Sequence, residues 1–383
     1  MVFKMISLFE PYLNDPKLKK YFNQCIKSTY VATAGKFIEL FEKKLKKFIG
    51  AKCFVNLTNS GSSALHAAFL ANGLDRQDTV IIPSYNFIAS SNAAILCGAN
   101  IWYVDINETN LTIDLKKLEL ELKKHTYKDN RGNLRLKKNS SKIKIICPTS
   151  TYGNFPDLEK LKEIKKKYGL KVILDTAGSL GCEYNFKKLG QLEYDAAILS
   201  FNANKLITTS AGGAVISKKK NIYKKIKLLI SNGRKNKLYK IFSKGFNYRM
   251  TNVQAAIGYS QLNNINKIIL KKKKNYNQYK AKIKNPDFKL VCNSNCTKKN
   301  YWSPFLIAKN SKKSFSLIKK LNKNKIDTFI PWTFLHKFKY YPSFVTSIST
   351  DENFFKRIVP LPNSFSLKNN EIKKIVNIIN SKL

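Results

Sequence analysis

Residues 196–215 read Ala-Ala-Ile-Leu-Ser-Phe-Asn-Ala-Asn-Lys-Leu-Ile-Thr-Thr-Ser-Ala-Gly-Gly-Ala-Val. An apolar strand ends at Ser200, a short polar turn carries Lys205, and Gly212-Gly213 opens a second apolar strand. The chain holds 70 lysines and arginines, most of them on polar stretches. Lys205 differs, because buried-type segments flank it. An ammonium is costly to desolvate there, and its pKa is easily lowered. Thirty residues upstream, the strand Lys171–Asp175 ends in a carboxylate.

Outward from this stretch, apolar strands alternate with amphipathic helices. The pattern predicts strands at Cys53–Leu57, Thr79–Pro83, Ile101–Asp105, Ile143–Pro148, Lys171–Asp175, Ala196–Phe201 and Gly212–Ser217. It predicts helices at Ser62–Asn72, Phe87–Cys97, Asp157–Tyr168 and Lys218–Ser231, with further helical spacing over Ile38–Phe48 and Val253–Tyr276. Such alternation specifies an α/β fold: a mostly parallel, mixed seven-stranded sheet flanked by helices. Ligands on such sheets sit at the carboxyl ends of the strands. Ser60-Gly61, Tyr85–Phe87, Asp175 and Ser200–Lys205 all fall at such ends. Beyond Tyr276 the elements shorten. We read residues 1–250 as a large α/β domain and 251–383 as a smaller C-terminal α+β domain with a linking helix. The polar stretch Lys123–Ser141 reads as a surface excursion.

Bulk composition excludes several classes. No apolar run reaches the ~18 residues of a membrane span. The N-terminus, Met-Val-Phe-Lys-Met-Ile, lacks a signal-peptide pattern, and the seven cysteines show no metal-site spacing. The expectation is a cytoplasmic protein with reduced thiols and no metal. The net charge of +46 raises nucleic-acid binding as an alternative. The lysines, however, are spread over every segment and arginine is scarce, so we read the charge as compositional bias and expect no specific nucleic-acid partner and no membrane.

The residues at the strand ends suggest a chemistry. Gly61, Ser62 and Ser63 open a helix after a strand, where free amides and hydroxyls can seat a phosphate; a plain serine cap would look the same. Phe87 follows another strand and can stack on a flat ring, or serve as a core aromatic. Asp175 can pair with a protonated pyridine nitrogen, and Ser200 can add a phosphate contact. A secluded lysine facing such a carboxylate points to Schiff-base catalysis with pyridoxal phosphate, Lys205 acting also as proton carrier.

In order and spacing, Ser60-Gly61-Ser62-Ser63-Ala64-Leu65, Phe87, Ser90, Tyr152-Gly153, Asp175, Ser200-Phe201, Lys205, Gly212-Gly213 and Asn247-Tyr248-Arg249 resemble the StrS/DegT-type sugar aminotransferases, a branch of the fold-type I pyridoxal phosphate enzymes. The resemblance implies that Lys205 is the Schiff-base lysine and that Asp175 holds the pyridine nitrogen. Ser62, Ser63 and Ser200 would bind the phosphate and Phe87 would stack on the ring. Asn247 would reach the phosphate from a neighbouring subunit, which implies a homodimer with shared active sites. The implied reaction moves an amino group, commonly from glutamate, to C3 or C4 of a keto nucleotide-diphosphate sugar. A dehydratase branch carries histidine in place of the lysine, so Lys205 argues against that alternative. A third alternative is a non-catalytic basic nucleic-acid-binding regulator on the same scaffold. The chain departs from the family pattern at Gly178, where glutamine or histidine is common, at Ser150 for histidine, and at Ala211 for glutamate. His336 falls where related chains carry substrate-side residues; His66 reads as packed.

Overall fold

The computed structural model describes residues 5–235, 240–293, 295–346, 348–351 and 353–382. Helix α1 (Pro16–Lys27) is capped by Asp15, whose carboxylate accepts from the Lys17 amide, and α2 (Lys36–Ile49) ends at a left-handed Gly50. Then come β1 (Phe54–Thr58), α3 (Gly61–Ala71), β2 (Thr79–Pro83), α4 (Ala89–Leu96), β3 (Asn100–Val104) and α5 (Leu115–His125). The segment predicted as a surface excursion holds the end of α5 and a hairpin, β4 (Thr126–Lys128) with β5 (Leu134–Leu136). Its tip is fastened by Asp129, which accepts from the Asn133 amide and from Arg135 Nε.

The main sheet continues with β6 (Ile143–Ile146), α6 (Leu158–Tyr168), β7 (Lys171–Asp175), the two-residue strands β8 (Glu183–Tyr184) and β9 (Lys187–Lys188), β10 (Ala196–Ser200), β11 (Gly213–Ser217) and α7 (Lys220–Leu229). All seven predicted strands are present. Their order is β1-β11-β10-β7-β6-β2-β3, with β11 antiparallel to both of its neighbours. Alternation along the strands splits the core in two. Ile81, Trp102, Ile146, Leu174, Leu199 and Ile216 face one apolar cluster, while Val80, Ile101, Ile145, Ile173, Ile198 and Val215 face the other. Helices therefore cover both faces, as burial on both sides requires.

The helical pattern over Val253–Tyr276 resolves into α8 (Asn252–Asn263) and α9 (Ile265–Lys282). The break is Asn264, whose side chain donates to the Ser260 carbonyl and to Asp15 instead of facing solvent. The remaining elements are β12 (Phe288–Val291), β13 (Phe305–Ala308), α10 (Ser311–Lys323), β14 (Ser343–Val345), β15 (Ile358–Pro360) and α11 (Asn369–Asn380). Strands β12, β13 and β15 form a separate sheet, and their apolar cluster includes Tyr279, Leu306, Leu317, Ile375 and Ile379. Strand β14 instead joins the main sheet as an eighth strand, parallel to β3. It is held there by the tilted ring pair of Trp102 with Phe344 and by Trp102 Nε1 donating to Thr346. Three residues are too few for periodicity to reveal, so the strand carries no sign in the sequence.

Candidate active site

Strands β10, β7, β6 and β2 are parallel neighbours, so their carboxyl ends line one edge of the sheet. Register carries β1 to the same edge: Thr58 and Ser200 both pair with Gly213. A cavity of about 400 Å³ opens there, and Gly61, Ser62, Phe87, Asp175, Ser200 and Lys205 all line it. Among the described lining residues Lys205 is the one cation and Asp175 the one anion, in a chain of net charge +46.

Asp175 ends β7 almost fully buried, at 5% exposure. One carboxylate oxygen accepts from the Ser90 hydroxyl at 3.1 Å, the other from the Ala177 amide at 3.2 Å. Ser90 in turn accepts from the Asn86 side chain at 2.9 Å. Burial pushes the Asp175 carboxyl above its usual range, and the Ala177 amide, Lys205 and Ser90 draw it part of the way back. Lys205 lines the cavity and is half-buried. Its desolvation brings the ammonium down to about 8 against the opposing pull of Asp175. A usable fraction of neutral amine therefore exists near neutral pH.

Helix α3 begins at the cavity. Ser60 caps it, its hydroxyl accepting from the Ser63 amide at 3.0 Å, and Gly61 presses against Ser200. The first amides of the helix and the Ser62 and Ser200 side chains thus border one corner, where the helix dipole favours an anion. Ser63 does not line the cavity; its hydroxyl donates to Asn59 at 2.6 Å and lies 2.7 Å from that of Ser60. Asn247 is also outside the lining. It is exposed, and its carbonyl accepts from the Asn59 side chain behind the serine loop. Phe87 is 53% exposed and tilts toward Trp332.

Several lining groups had no local signal in the sequence. Trp302, Trp332, Phe329 and Phe9 come from the chain termini and the C-terminal half. Trp332 stacks on Tyr152, centroids 5.5 Å apart and planes 6° off parallel. Tyr152 adopts a left-handed φ of 51°, unusual for a side chain of that size and held by the Asn293 amide on its carbonyl. His336 lies outside the lining, against Phe334, while its segment contributes Phe329 and Trp332 instead. His66 is packed as expected, its Nδ1 3.1 Å from the Tyr248 hydroxyl.

The donor set fits pyridoxal phosphate. The cavity brings together a buried carboxylate, an amine of lowered pKa and a helix N-terminus. The hydroxyls of Thr149, Ser150 and Thr151 line it as well and have no partner among the described residues. Buried polar groups left open in this way are suited to a polar ligand. The seven cysteines are all free thiols, and no cluster suited to a metal ion occurs among the described residues. No described helix is long and apolar enough to cross a membrane.

Comparison with known proteins agrees with this chemistry. The profile of the DegT/DnrJ/EryC1/StrS aminotransferase family matches residues 13–380. A GDP-perosamine synthase of Vibrio cholerae is 30% identical over 381 residues, covering 98% of each chain. A UDP-4-amino-4,6-dideoxy-N-acetyl-beta-L-altrosamine transaminase of Campylobacter jejuni is 35% identical over 272 residues, 68% of this chain and 67% of that one. PseC of Helicobacter pylori, an aminotransferase involved in the biosynthesis of pseudoaminic acid, superposes with a TM-score of 0.84 at 24% identity over 98% of both chains. The protein belongs to the DegT/DnrJ/EryC1/StrS aminotransferase family and is a pyridoxal-phosphate-dependent aminotransferase of the fold-type I architecture.

Proposed function

We propose that this enzyme transfers the amino group of glutamate to a keto nucleotide-diphosphate sugar, at C4 in preference to C3. The observation that carries the reading is the Lys205–Asp175 pair, the one cation and one anion among the described lining residues, in a cavity that also presents hydroxyls and aromatic rings. The nucleotide-sugar acceptor is supported by the names of the Vibrio and Campylobacter relatives, and C4 by the 4-amino sugar in the latter name.

The roles follow from chemistry and position. What pyridoxal phosphate supplies when bound is a carbonyl to carry the amino group and a ring to accept electrons. Lys205 is the group that anchors it and then, as a free amine, moves the proton at the substrate carbon. Asp175 keeps a proton on the pyridine nitrogen; its burial makes that pairing strong because no water competes. Gly61, Ser62 and Ser200 border the phosphate corner, with Ser63 supporting it through the capping hydrogen bonds. Phe87, exposed at the cavity, covers the ring. Asn247, exposed on the far side of the serine loop, serves the phosphate corner of a partner subunit, so the active unit is a homodimer. Residues 1–250 hold the cofactor, and 251–383, linked through α8 and α9, form the smaller domain apart from β14, which completes the main sheet. The compartment we propose is the cytoplasm.

The test is spectroscopic. Glutamate alone should convert the cofactor's visible absorbance to its amine form, and one member of a panel of keto nucleotide sugars should restore it. A protein whose spectrum never responds to glutamate or another amino acid would overturn the reading.

A further inference from the structure

The indole of Trp302 closes one wall of the cavity and is tied to Lys205 in two ways. Its Nε1–H donates to the carbonyl of Asn204 at 2.7 Å, one residue before the lysine. The Lys205 Nζ stands 4.4 Å from the centroid of its ring. Space for the indole comes from Gly178: a β-carbon there would lie 2.6 Å from Cζ3 and 2.8 Å from Cε3 of Trp302. Asn300 fastens the two, its side-chain amide donating to the Gly178 and Leu180 carbonyls and its oxygen accepting from the Trp302 amide at 3.0 Å. The turn of Lys205, the Gly178 loop and Trp302 thus form one unit joining segments far apart in the chain.

We propose that Trp302 is a positioning residue whose ring face receives the Lys205 amine whenever that amine is not bonded to the cofactor, with Gly178 as the gap that admits the indole. The inference rests on the role proposed for Lys205. A lysine that leaves a bond and must return needs a nearby place that holds it without fixing its charge. A carboxylate in contact would keep it protonated, whereas an aromatic face attracts the ammonium more weakly and leaves the neutral amine free to move. Among the described residues, the titratable groups that share the cavity lining with Lys205 are Asp175, at the end of β7, and Tyr152, in the loop after β6. Burial pushes the Tyr152 hydroxyl up, so it stays neutral and only Asp175 and the ring favour the ammonium.

The experiment replaces Trp302 with mono-, di- and trifluorinated tryptophan, which weakens the ring's attraction for a cation and nearly keeps its shape. Acylation of Lys205 in the apoprotein is followed against pH by mass spectrometry of its peptide. The expected result is a stepwise fall of the Lys205 midpoint, reaching about half to one pH unit across the series. An unchanged midpoint across the series would overturn the proposal. The gap is tested separately. Gly178→Ala should lower the melting temperature, and Trp302→Phe, which removes the atoms the new methyl meets, should recover most of the loss. An equal loss in both backgrounds sinks that half. Because the acylation series uses apoprotein, it is independent of whether Lys205→Ala abolishes cofactor attachment, which tests the underlying reading.

Discussion

Gly61 and Ser200 are in direct contact at the corner of the cavity where α3 begins: a β-carbon on Gly61 would lie 2.9 Å from Cβ and 3.1 Å from Oγ of Ser200. The first turn of α3 is therefore seated on the end of β10 with no room to spare. Gly61→Ala should displace that turn and weaken pyridoxal phosphate binding roughly tenfold or more, equivalent to about 1.4 kcal/mol. Titration of apoprotein with cofactor measures it, and circular dichroism checks that the fold survives.

Lys205→Ala removes the one cation among the described lining residues of the cavity. Borohydride treatment of the native enzyme should leave the cofactor covalently fixed on the peptide containing position 205. In the variant no fixed cofactor and no amination should be found. Recovery of the label on another lysine would refute the assignment.

Asp175→Asn keeps an oxygen for the Ser90 hydroxyl or the Ala177 amide while removing the charge. Amination should fall roughly 10²–10³-fold, the scale of losing one preorganised electrostatic partner. Burial raises the native carboxyl, so ionising it disfavours the folded apoprotein as pH rises. The variant apoprotein should be at least as stable as wild type at neutral pH, which thermal unfolding can check.

Glu42, on α2, faces the Leu57 amide and is raised by burial to about 7 from 4.5. Below pH 4.5 the folded and unfolded states both hold the proton. As pH rises to about 7 the unfolded chain ionises first, and the folded state loses relative stability. Glu42→Gln should therefore stabilise the apoprotein at pH 8, on the order of 2 kcal/mol, and leave it nearly unchanged near pH 4. Equal melting shifts at both pH values would contradict this.

The charge of +46 surrounds a cavity whose described lining residues include one cation and one anion. It should act on encounter with the proposed anionic sugar substrate rather than on its bound geometry. Raising salt from about 0.05 to about 0.5 M should lower kcat/KM severalfold with kcat little changed. A kcat that falls in step with kcat/KM would place the effect elsewhere.

Much of this protein was fixed locally. The alternation of apolar runs set all seven strands named from the sequence, because burial on both faces of a parallel sheet leaves little freedom in composition. Lys205, Asp175, Gly61 and Ser200 were legible because strand ends are identifiable in one dimension and the sheet brings them to one edge. Tertiary structure decided what has no period or motif. Strand β14 is too short to read, and Asn264 breaks a continuous helical pattern through contacts with Asp15, 249 residues away in the chain. Trp302 fills the space left by Gly178, an absence that in sequence looks only like a missing side chain. Which group occupies that space, and so what the lysine rests against, depends on packing between residues 124 positions apart (302 less 178). Contacts of that separation are settled by shape and burial in the folded core, which no stretch of sequence displays by itself.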